Sequence, residues 1–164
     1  MTSLDAEARN IQNPAFGAVL LASFVQGFYD ADDTKQGAPL PYLFLVLPIV
    51  LHSDIYRLLS GTKIGLRHMA EKFVSTEYAG TDLLLSLHSS ALRFRRLTAE
   101  SLGVLFLTGL AKMDPKKARV IPRKARLFSK RPDVPDEADE SRKLGKWFAQ
   151  LSAFEIGSIL KVTF

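Results

Sequence analysis

The fold is decided by two adjoining stretches, TAESLGVLFLTGL (residues 98–110) and AKMDPKKARVIP (residues 111–122). The first predicts an apolar helix capped by Thr98, because Thr is a favourable N-cap and a helix that is apolar nearly all round is usually buried. The second predicts a β-hairpin in which residues 112–113 pair with residues 120–121 around a turn that contains proline. The two stretches therefore place a small antiparallel sheet directly after a buried helix.

Helical patterns dominate the chain before these stretches. Asn13 and Pro14 start a first helix, since Asn caps helices and Pro suits the first helical position. A break at Leu97-Thr98 is expected to form a helix–turn–helix corner before the helix over residues 99–110. The five earlier helices are predicted over residues 14–29, 42–52, 53–59, 66–74 and 82–96. This order predicts a mainly α chain with a small β-hairpin, in which a winged-helix-like core has flanking N- and C-terminal helices.

The chain after the hairpin predicts a linker and a C-terminal appendage. Residues 123–141 are rich in charge and predict an exposed linker. A short amphipathic helix follows, and Ser152 with Glu155 fits a capping box that starts a last helix. The predicted organisation is a helical, winged-helix-like domain over residues 1–122, the charged linker, and residues 142–164 packed on the core or on a partner.

Composition restricts the class of protein. A length of 164 residues suits one domain with a small appendage. The absence of Cys excludes disulfides, thiolate zinc sites, iron–sulfur clusters and Cys nucleophiles, and it fits a reducing cytoplasm. The first residues lack the apolar segment of a signal peptide, and the most apolar stretch, residues 38–51, is too short and too rich in proline to span a bilayer. We therefore expect a cytoplasmic protein without a membrane partner.

Basic charge is concentrated in one segment. Residues 112–131 contain nine Lys or Arg residues and one acidic residue, whereas residues 132–142 contain five acidic residues and one basic residue. The basic segment would attract the phosphates of nucleic acid, or the acidic run would fold back on it as a solvated linker. The candidate phosphate contacts are Lys112, Lys116, Lys117, Arg119, Arg123, Lys124, Arg126, Lys130 and Arg131.

The helix over residues 99–110 lacks the side chains of a DNA-reading helix. It contains no Arg, Lys, Asn or Gln, and its only charge is Glu100. Its outer face is therefore expected to dock another protein or to pack on the chain's own terminal helices. Arg93, Arg95 and Arg96 are expected to end the preceding helix, where they would complement its negative C-terminus or, as a weaker alternative, contact phosphate.

No motif for catalysis or for cofactor binding is present. Glycine-rich phosphate loops and the nucleophile elbow are absent, and His52, His68 and His88 lie far apart without the spacing of metal ligands. We therefore expect no catalytic residue, no metal and no cofactor. An enzyme would be favoured only if a pocket brought His52 or His68 together with an acidic group.

Three stretches carry a resemblance to a known family. They are NIQNPAF (residues 10–16), GAPLPYLFLVLP (residues 37–48, followed closely by Leu51-His52) and GKWFA (residues 145–149). In this order, and over nearly the whole chain, they resemble the small middle component of bacterial three-component ABC-ATPase conflict systems. These systems include Lamassu-type anti-phage and anti-plasmid systems.

The resemblance implies a non-catalytic accessory or adaptor subunit. Its implied partners are an SMC-like ABC ATPase and a variable effector, often a nuclease. The basic segment, independently of the resemblance, would add non-specific contacts to the backbone of double-stranded DNA. The alternative is a stand-alone winged-helix DNA-binding protein. The candidate partner-binding residues are Phe16, Phe24, Phe28, Trp147, Phe148 and Phe154, each of which core packing would also explain.

Overall fold

A computed structural model describes residues 13–75, 80–123 and 135–164. Within these ranges the chain forms seven helices and one small antiparallel sheet of three strands. In chain order the elements are α1 (Pro14–Ala31), β1 (Ala38–Pro39), α2 (Leu40–Val50), α3 (Ser53–Ser60), α4 (Leu66–Ser75), α5 (Gly80–Leu107), β2 (Ala111–Asp114), β3 (Arg119–Pro122), α6 (Asp136–Ala149) and α7 (Ala153–Leu160). The prediction of a mainly α chain with a small β-hairpin is confirmed.

The first two helices lie at the centre of the core. The Asn13 side chain accepts a hydrogen bond from the backbone N–H of Ala15 at 3.0 Å, so α1 begins at Pro14 as predicted. Phe24 of α1 and Leu43 of α2 are fully buried. Because both helices are apolar on several sides, α5 packs against both of them and α6 packs along α1.

α5 is one continuous helix of 28 residues, so the predicted break at Leu97-Thr98 is wrong. Thr98 is fully buried inside the helix instead of capping a new one. The region contains no proline, and the one glycine nearby, Gly103, costs about 1 kcal/mol in a helix interior, which tertiary packing readily offsets. The two helices predicted on either side of the break are therefore one continuous helix.

α5 ends in a tight turn that directs the chain into β2. Gly109 has a φ of +72°, a conformation that costs glycine little. The backbone N–H of Leu110 donates to Leu105 at 3.2 Å, and that of Gly109 donates to Phe106 at 3.1 Å. This pair of hydrogen bonds is the Schellman pattern of a helix C-terminus. The helix therefore ends three residues before the predicted end at residue 110.

β2 and β3 form the predicted hairpin, with Lys112 opposite Ile121 and Met113 opposite Val120. β1 pairs with β3 as a third strand that was not predicted, giving the order β1-β3-β2. A two-residue strand that contains a proline is too short to show an alternating pattern. Since the predicted helix–turn–helix corner is absent, the winged-helix-like core stays a prediction.

α6 begins at Asp136, earlier than the predicted start at Arg142, so residues 136–141 are helical and not linker. The acidic residues of this stretch occupy the first helical turn, where carboxylates favour the positive end of the helix dipole. The buried Ser141 hydroxyl donates to the backbone carbonyl of Leu20 in α1 at 2.7 Å. α6 therefore packs on the core.

The predicted capping box at the start of α7 is confirmed. The Ser152 hydroxyl accepts from the backbone N–H of Glu155 at 3.2 Å, and the Glu155 carboxylate accepts from the backbone N–H of Ser152 at 2.8 Å. The hydrogen bond from the Ser152 backbone holds the pKa of Glu155 below its usual range. After α7, the Phe164 ring lies 5.2 Å from the Tyr42 ring, so the C-terminal tail packs back against α2.

The apolar helices of the described ranges do not individually reach across a bilayer. α2 and α3 carry enough apolar length only together, and they meet at an angle of 99°.

Candidate functional site

The outer face of α5 carries a line of exposed apolar and small residues. Leu85 is 59% exposed, Leu92 is 61% exposed and Leu107 is 91% exposed. Ala99 and Gly103 are exposed between them, and a Cβ atom placed on Gly103 would meet no other atom within 4 Å. At 3.6 residues per turn these five positions share one side of the helix over about 33 Å. We call them the α5 ridge.

The sequence offers two expectations for this outer face, docking of another protein or packing on the chain's own terminal helices, and the exposure of the α5 ridge bears on the second. The opposite side of the helix packs into the core through buried residues such as Leu87 and Leu105. In the part of the chain that the structure describes, α6 and α7 leave the ridge exposed. α6 and α7 therefore do not cover this face, and docking of another protein stays a prediction.

An open cleft of about 760 Å³ lies beside the α5 ridge, between the middle of α5 and the junction of α2 and α3. On its rim, Arg96 pairs with Glu100 at 2.9 Å and Arg93 donates to the Ser90 hydroxyl at 3.1 Å. These arginines lie in the middle of α5, so the prediction that they end a helix is wrong. The cleft is lined by Leu51, His52, Ser53, Arg93, Phe94, Arg96, Leu97 and Glu100.

The lining of the cleft contains both His52 and Glu100. A pocket that brings His52 together with an acidic group is the condition under which the sequence favours an enzyme. Glu100 is engaged by Arg96, and no hydrogen bond within the described ranges reaches the buried Nδ1 of His52. His68 lies on α4, where it contacts Glu71 of the same helix at 3.4 Å. The described residues also contain no cluster of three acidic or histidine side chains that could hold a metal. Among the described residues, His52 and Glu100 therefore both line the cleft, but Glu100 is bound by Arg96 and the Nδ1 of His52 has no hydrogen-bond partner.

The hairpin presents four exposed basic side chains, which we call the hairpin cations: Lys112, Lys116, Lys117 and Arg123. The turn between β2 and β3 is fixed by Asp114, whose carboxylate accepts from the backbone N–H groups of Lys116 at 3.0 Å and Lys117 at 3.3 Å. Both lysine side chains are exposed to solvent.

The other basic candidates differ from the hairpin cations. Arg119 is half-buried, and its guanidinium donates to the backbone carbonyl of Gly37 at 2.7 Å, which ties β3 to the residue before β1. Arg119 therefore has a structural partner already. The remaining four candidates lie outside the described residues; they are Lys124, Arg126, Lys130 and Arg131.

The described part of the acidic run faces α3 and its own helix. Burial raises the pKa of Tyr56 in α3, and the nearby carboxylates of Glu137, Glu140 and Asp136 raise it further. Glu140 also pairs with Lys143 at 2.5 Å. The alternative in which the acidic run folds back on the basic segment stays a prediction, because residues 124–134 lie outside the described ranges.

Most of the predicted partner-binding aromatics belong to the core. Phe24 and Phe148 are fully buried and meet edge to face at 5.4 Å, while Phe28 and Trp147 are at most 7% exposed. Their burial removes these four from any surface that this structure offers to a partner. Phe16 is half-buried, and Phe154 is 84% exposed on α7.

The sequence interpretation missed the α5 ridge because the predicted break divided it. Leu85, Leu92 and Ala99 recur at intervals of seven residues, which is the spacing of one helical seam. Read on an unbroken helix, this spacing would have indicated an apolar line opposite the buried face.

A comparison with models of protein families matches the whole chain. The family model of the ABC-three component (ABC-3C) system Middle Component 3 matches residues 1–164. No curated protein and no solved structure matches the chain. The resemblance seen in the sequence is thereby confirmed at the level of a middle component. The chain belongs to the Middle Component 3 family of ABC-three component systems.

Proposed function

We propose that the chain is a non-catalytic accessory subunit that links an SMC-like ABC ATPase to a variable effector, often a nuclease. The setting that we propose is a cytoplasmic, Lamassu-type anti-phage or anti-plasmid system. Membership of the middle-component family supports a role beside the other components of a three-component ABC system.

The observation that carries this proposal is the α5 ridge. Its three leucines are exposed, whereas Leu87 and Leu105 on the opposite side of the same helix are fully buried. Apolar and small residues that recur along one exposed side of a helix offer a surface on which the helix of a partner can pack. The cleft beside the ridge lacks a paired acid and base, which favours a binding role over catalysis.

Co-expression of the tagged chain with the other two components of its system tests this proposal. The linking role predicts that the ATPase and the effector are both recovered with the chain. It also predicts that tagged ATPase retains the effector only when the chain is present. Recovery of the chain by itself would contradict the accessory role, and equal retention of the effector without the chain would contradict the linking role.

A second role, contact with DNA phosphates, is favoured by the hairpin cations. Four exposed positive charges on one short hairpin attract a polyanion without reading its sequence. This contact is compatible with the accessory role, and it is also the basis of the alternative, a stand-alone winged-helix DNA-binding protein. The alternative predicts high affinity for duplex DNA in the absence of the ATPase and the effector.

A further inference from the structure

We propose that the α5 ridge and the cleft beside it bind one amphipathic α-helix of a partner component, whose apolar seam is flanked by Asp or Glu residues. The inference rests on the accessory role proposed above and adds the place and the chemistry of the contact. It is carried by three features that meet on one side of α5: a row of apolar and small residues, an open cleft with three apolar side chains in a mixed lining, and a group of arginines.

The apolar line has the spacing that a second helix requires. Leu85 and Leu92 are seven residues apart, which matches the repeat of helices that pack side by side. Ala99 and Gly103 continue the line with minimal side chains, so a partner backbone can approach α5 closely there. The partner would therefore lie along α5 for several turns.

The cleft supplies a recess for a larger side chain of the partner. Leu51, Phe94 and Leu97 contribute apolar surface to its lining, and it opens directly beside the ridge. Helical ligands commonly anchor themselves by inserting one or two large apolar side chains into such recesses. A partner residue projecting from the seam would enter the cleft between the middle of α5 and the start of α3.

The charge around the contact specifies the flanks of the partner helix. Arg93, Arg95 and Arg96 are exposed in the middle of α5. Glu100 neutralises Arg96, whereas no ion pair within the described ranges gives Arg93 or Arg95 a carboxylate. Complementary charge steers association and suppresses wrong partners, so the favoured occupant carries carboxylates beside its apolar seam.

The same charges disfavour the other occupants of this face. A second copy of the chain would bring three more arginines and only one glutamate to the contact, which leaves excess positive charge on both sides. Residues 124–131 of the chain itself contain four basic residues and no acidic residue, so they are equally unsuitable. An acidic helix from another component fits the site without this repulsion.

The test uses the full chain co-purified with the ATPase and the effector of its system. The variants Leu85→Glu/Leu92→Glu and Arg93→Glu/Arg96→Glu change only exposed side chains, so they should fold normally. Each should reduce the affinity for one of the two components by about tenfold or more. The control is Lys63→Glu/Ile64→Glu, which combines one reversal of a basic charge and one apolar-to-Glu change at exposed positions outside α5 and should retain full affinity.

A peptide arm tests the charge requirement directly. Two helical peptides of the length of the α5 ridge share a leucine seam and carry either Glu or Lys at the flanking positions. The proposal predicts that the Glu peptide binds at least about tenfold more tightly than the Lys peptide, that Arg93→Glu/Arg96→Glu reverses this preference, and that Leu85→Glu/Leu92→Glu abolishes binding.

The outcomes separate this inference from the accessory role. If the α5 variants retain both components as the control does, the accessory role stands and this docking site is overturned. If the unaltered chain retains neither component, the accessory role fails and the peptide arm alone decides the docking site. Equal binding of the two peptides, or binding of neither, overturns the site. The site is also overturned if the chain forms a dimer that Leu85→Glu/Leu92→Glu separates into monomers, because a second copy then occupies the α5 ridge. It is likewise overturned if deletion of residues 2–12 greatly raises the affinity for the peptide, because the chain's own N-terminal segment is then the occupant.

Discussion

Gly145 of α6 lies so close to the backbone carbonyl of Phe24 in α1 that no side chain fits between them. Gly27 of α1 lies equally close to the backbone carbonyl of Arg142, so each helix supplies one glycine to the contact. The two backbones can therefore approach closely, and Phe148 reaches Phe24 in the core. This contact makes α6 part of the packed core.

Replacement of Gly145 by Ala should destabilise the protein by about 2–3 kcal/mol or more, because the two helices must separate to admit the methyl group. The loss should appear as a lower midpoint of urea unfolding followed by circular dichroism. The matched control is Gly103→Ala, since Gly103 is also helical but has open space around its Cβ position. There the change should stabilise the protein by about 0.5–1 kcal/mol. An unchanged or raised midpoint for Gly145→Ala would contradict the close contact.

Phe148 and Phe154 should respond oppositely to truncation, although the sequence alone offers both as partner contacts. Phe148→Ala should cost about 3–5 kcal/mol of unfolding free energy, because it empties a fully buried site. Phe154→Ala should change stability by no more than about 0.5 kcal/mol, since its ring is 84% exposed. Thermal unfolding of both variants checks this, and comparable losses at the two positions would argue against the burial described here.

The ion pair between Asp30 and Arg142 should make stability depend on acid pH. Burial tends to raise the pKa of Asp30, but the hydrogen bonds from Arg142 and Gln26 outweigh it and hold the pKa below the ordinary value. A carboxyl group whose pKa is lowered by folding stabilises the folded state above its unfolded pKa of about 3.9. This stabilisation is lost as the pH falls through the lower, folded-state pKa.

Asp30→Asn should therefore lower the unfolding free energy at neutral pH by up to about 1 kcal/mol, because the pair is partly exposed. The difference from the unaltered chain should shrink toward zero as the pH falls through and below the lowered, folded-state pKa of Asp30. Denaturant unfolding at a series of pH values measures it. Asp33→Asn, in the exposed loop after α1, serves as the control and should leave the pH profile unchanged. A difference that persists or grows in acid would refute the role of the pair.

The hairpin cations should produce a defined salt dependence of DNA binding. If all four contact phosphates, the slope of log K against log salt concentration should be about −3.6. Lys116→Glu/Lys117→Glu should weaken binding to duplexes of any sequence and reduce the magnitude of the slope by about 1.8. Fluorescence anisotropy with short duplexes measures both quantities. The charge-matched control is Lys63→Glu/Lys161→Glu, and equal affinities for the two double variants would eliminate the hairpin as a DNA contact.

Local signals were sufficient to predict several elements of the fold. The Asn13 cap, the Ser152–Glu155 capping box and the hairpin register depend on residues close together in the chain, and each is confirmed. In these cases the hydrogen bonds that define the element join residues within a few positions of one another. The sequence pattern therefore contains the whole interaction.

Other elements depend on contacts that a sequence pattern does not display. Thr98 resembles a helix cap, yet it is itself fully buried, and α5 continues through it. β1 exists only because β3, some eighty residues later, offers hydrogen bonds to it. The acidic start of α6 resembles a solvated linker, but the packing of α6 along α1 makes it helical.

The candidate site was the least predictable part. The sequence predicts aromatic residues near both ends of the chain as partner contacts, but Phe24 of α1 and Phe148 of α6 pack against each other in the core. The α5 ridge consists of leucines and small residues whose exposure depends on which helices cover α5. The exposure of the hairpin cations was predictable, because a short hairpin is too small to bury a cluster of charged side chains.

The most direct test of the central claim is the native mass of the assembly formed when the tagged chain is expressed with the other two components of its system. The linking role predicts a particle that contains the chain, the ABC ATPase and the effector, and the α5 docking site predicts that Leu85→Glu/Leu92→Glu removes one of the two other components from it. An unaltered chain that runs alone would contradict the accessory role, and a complete particle formed by the Leu85→Glu/Leu92→Glu chain would contradict the docking site.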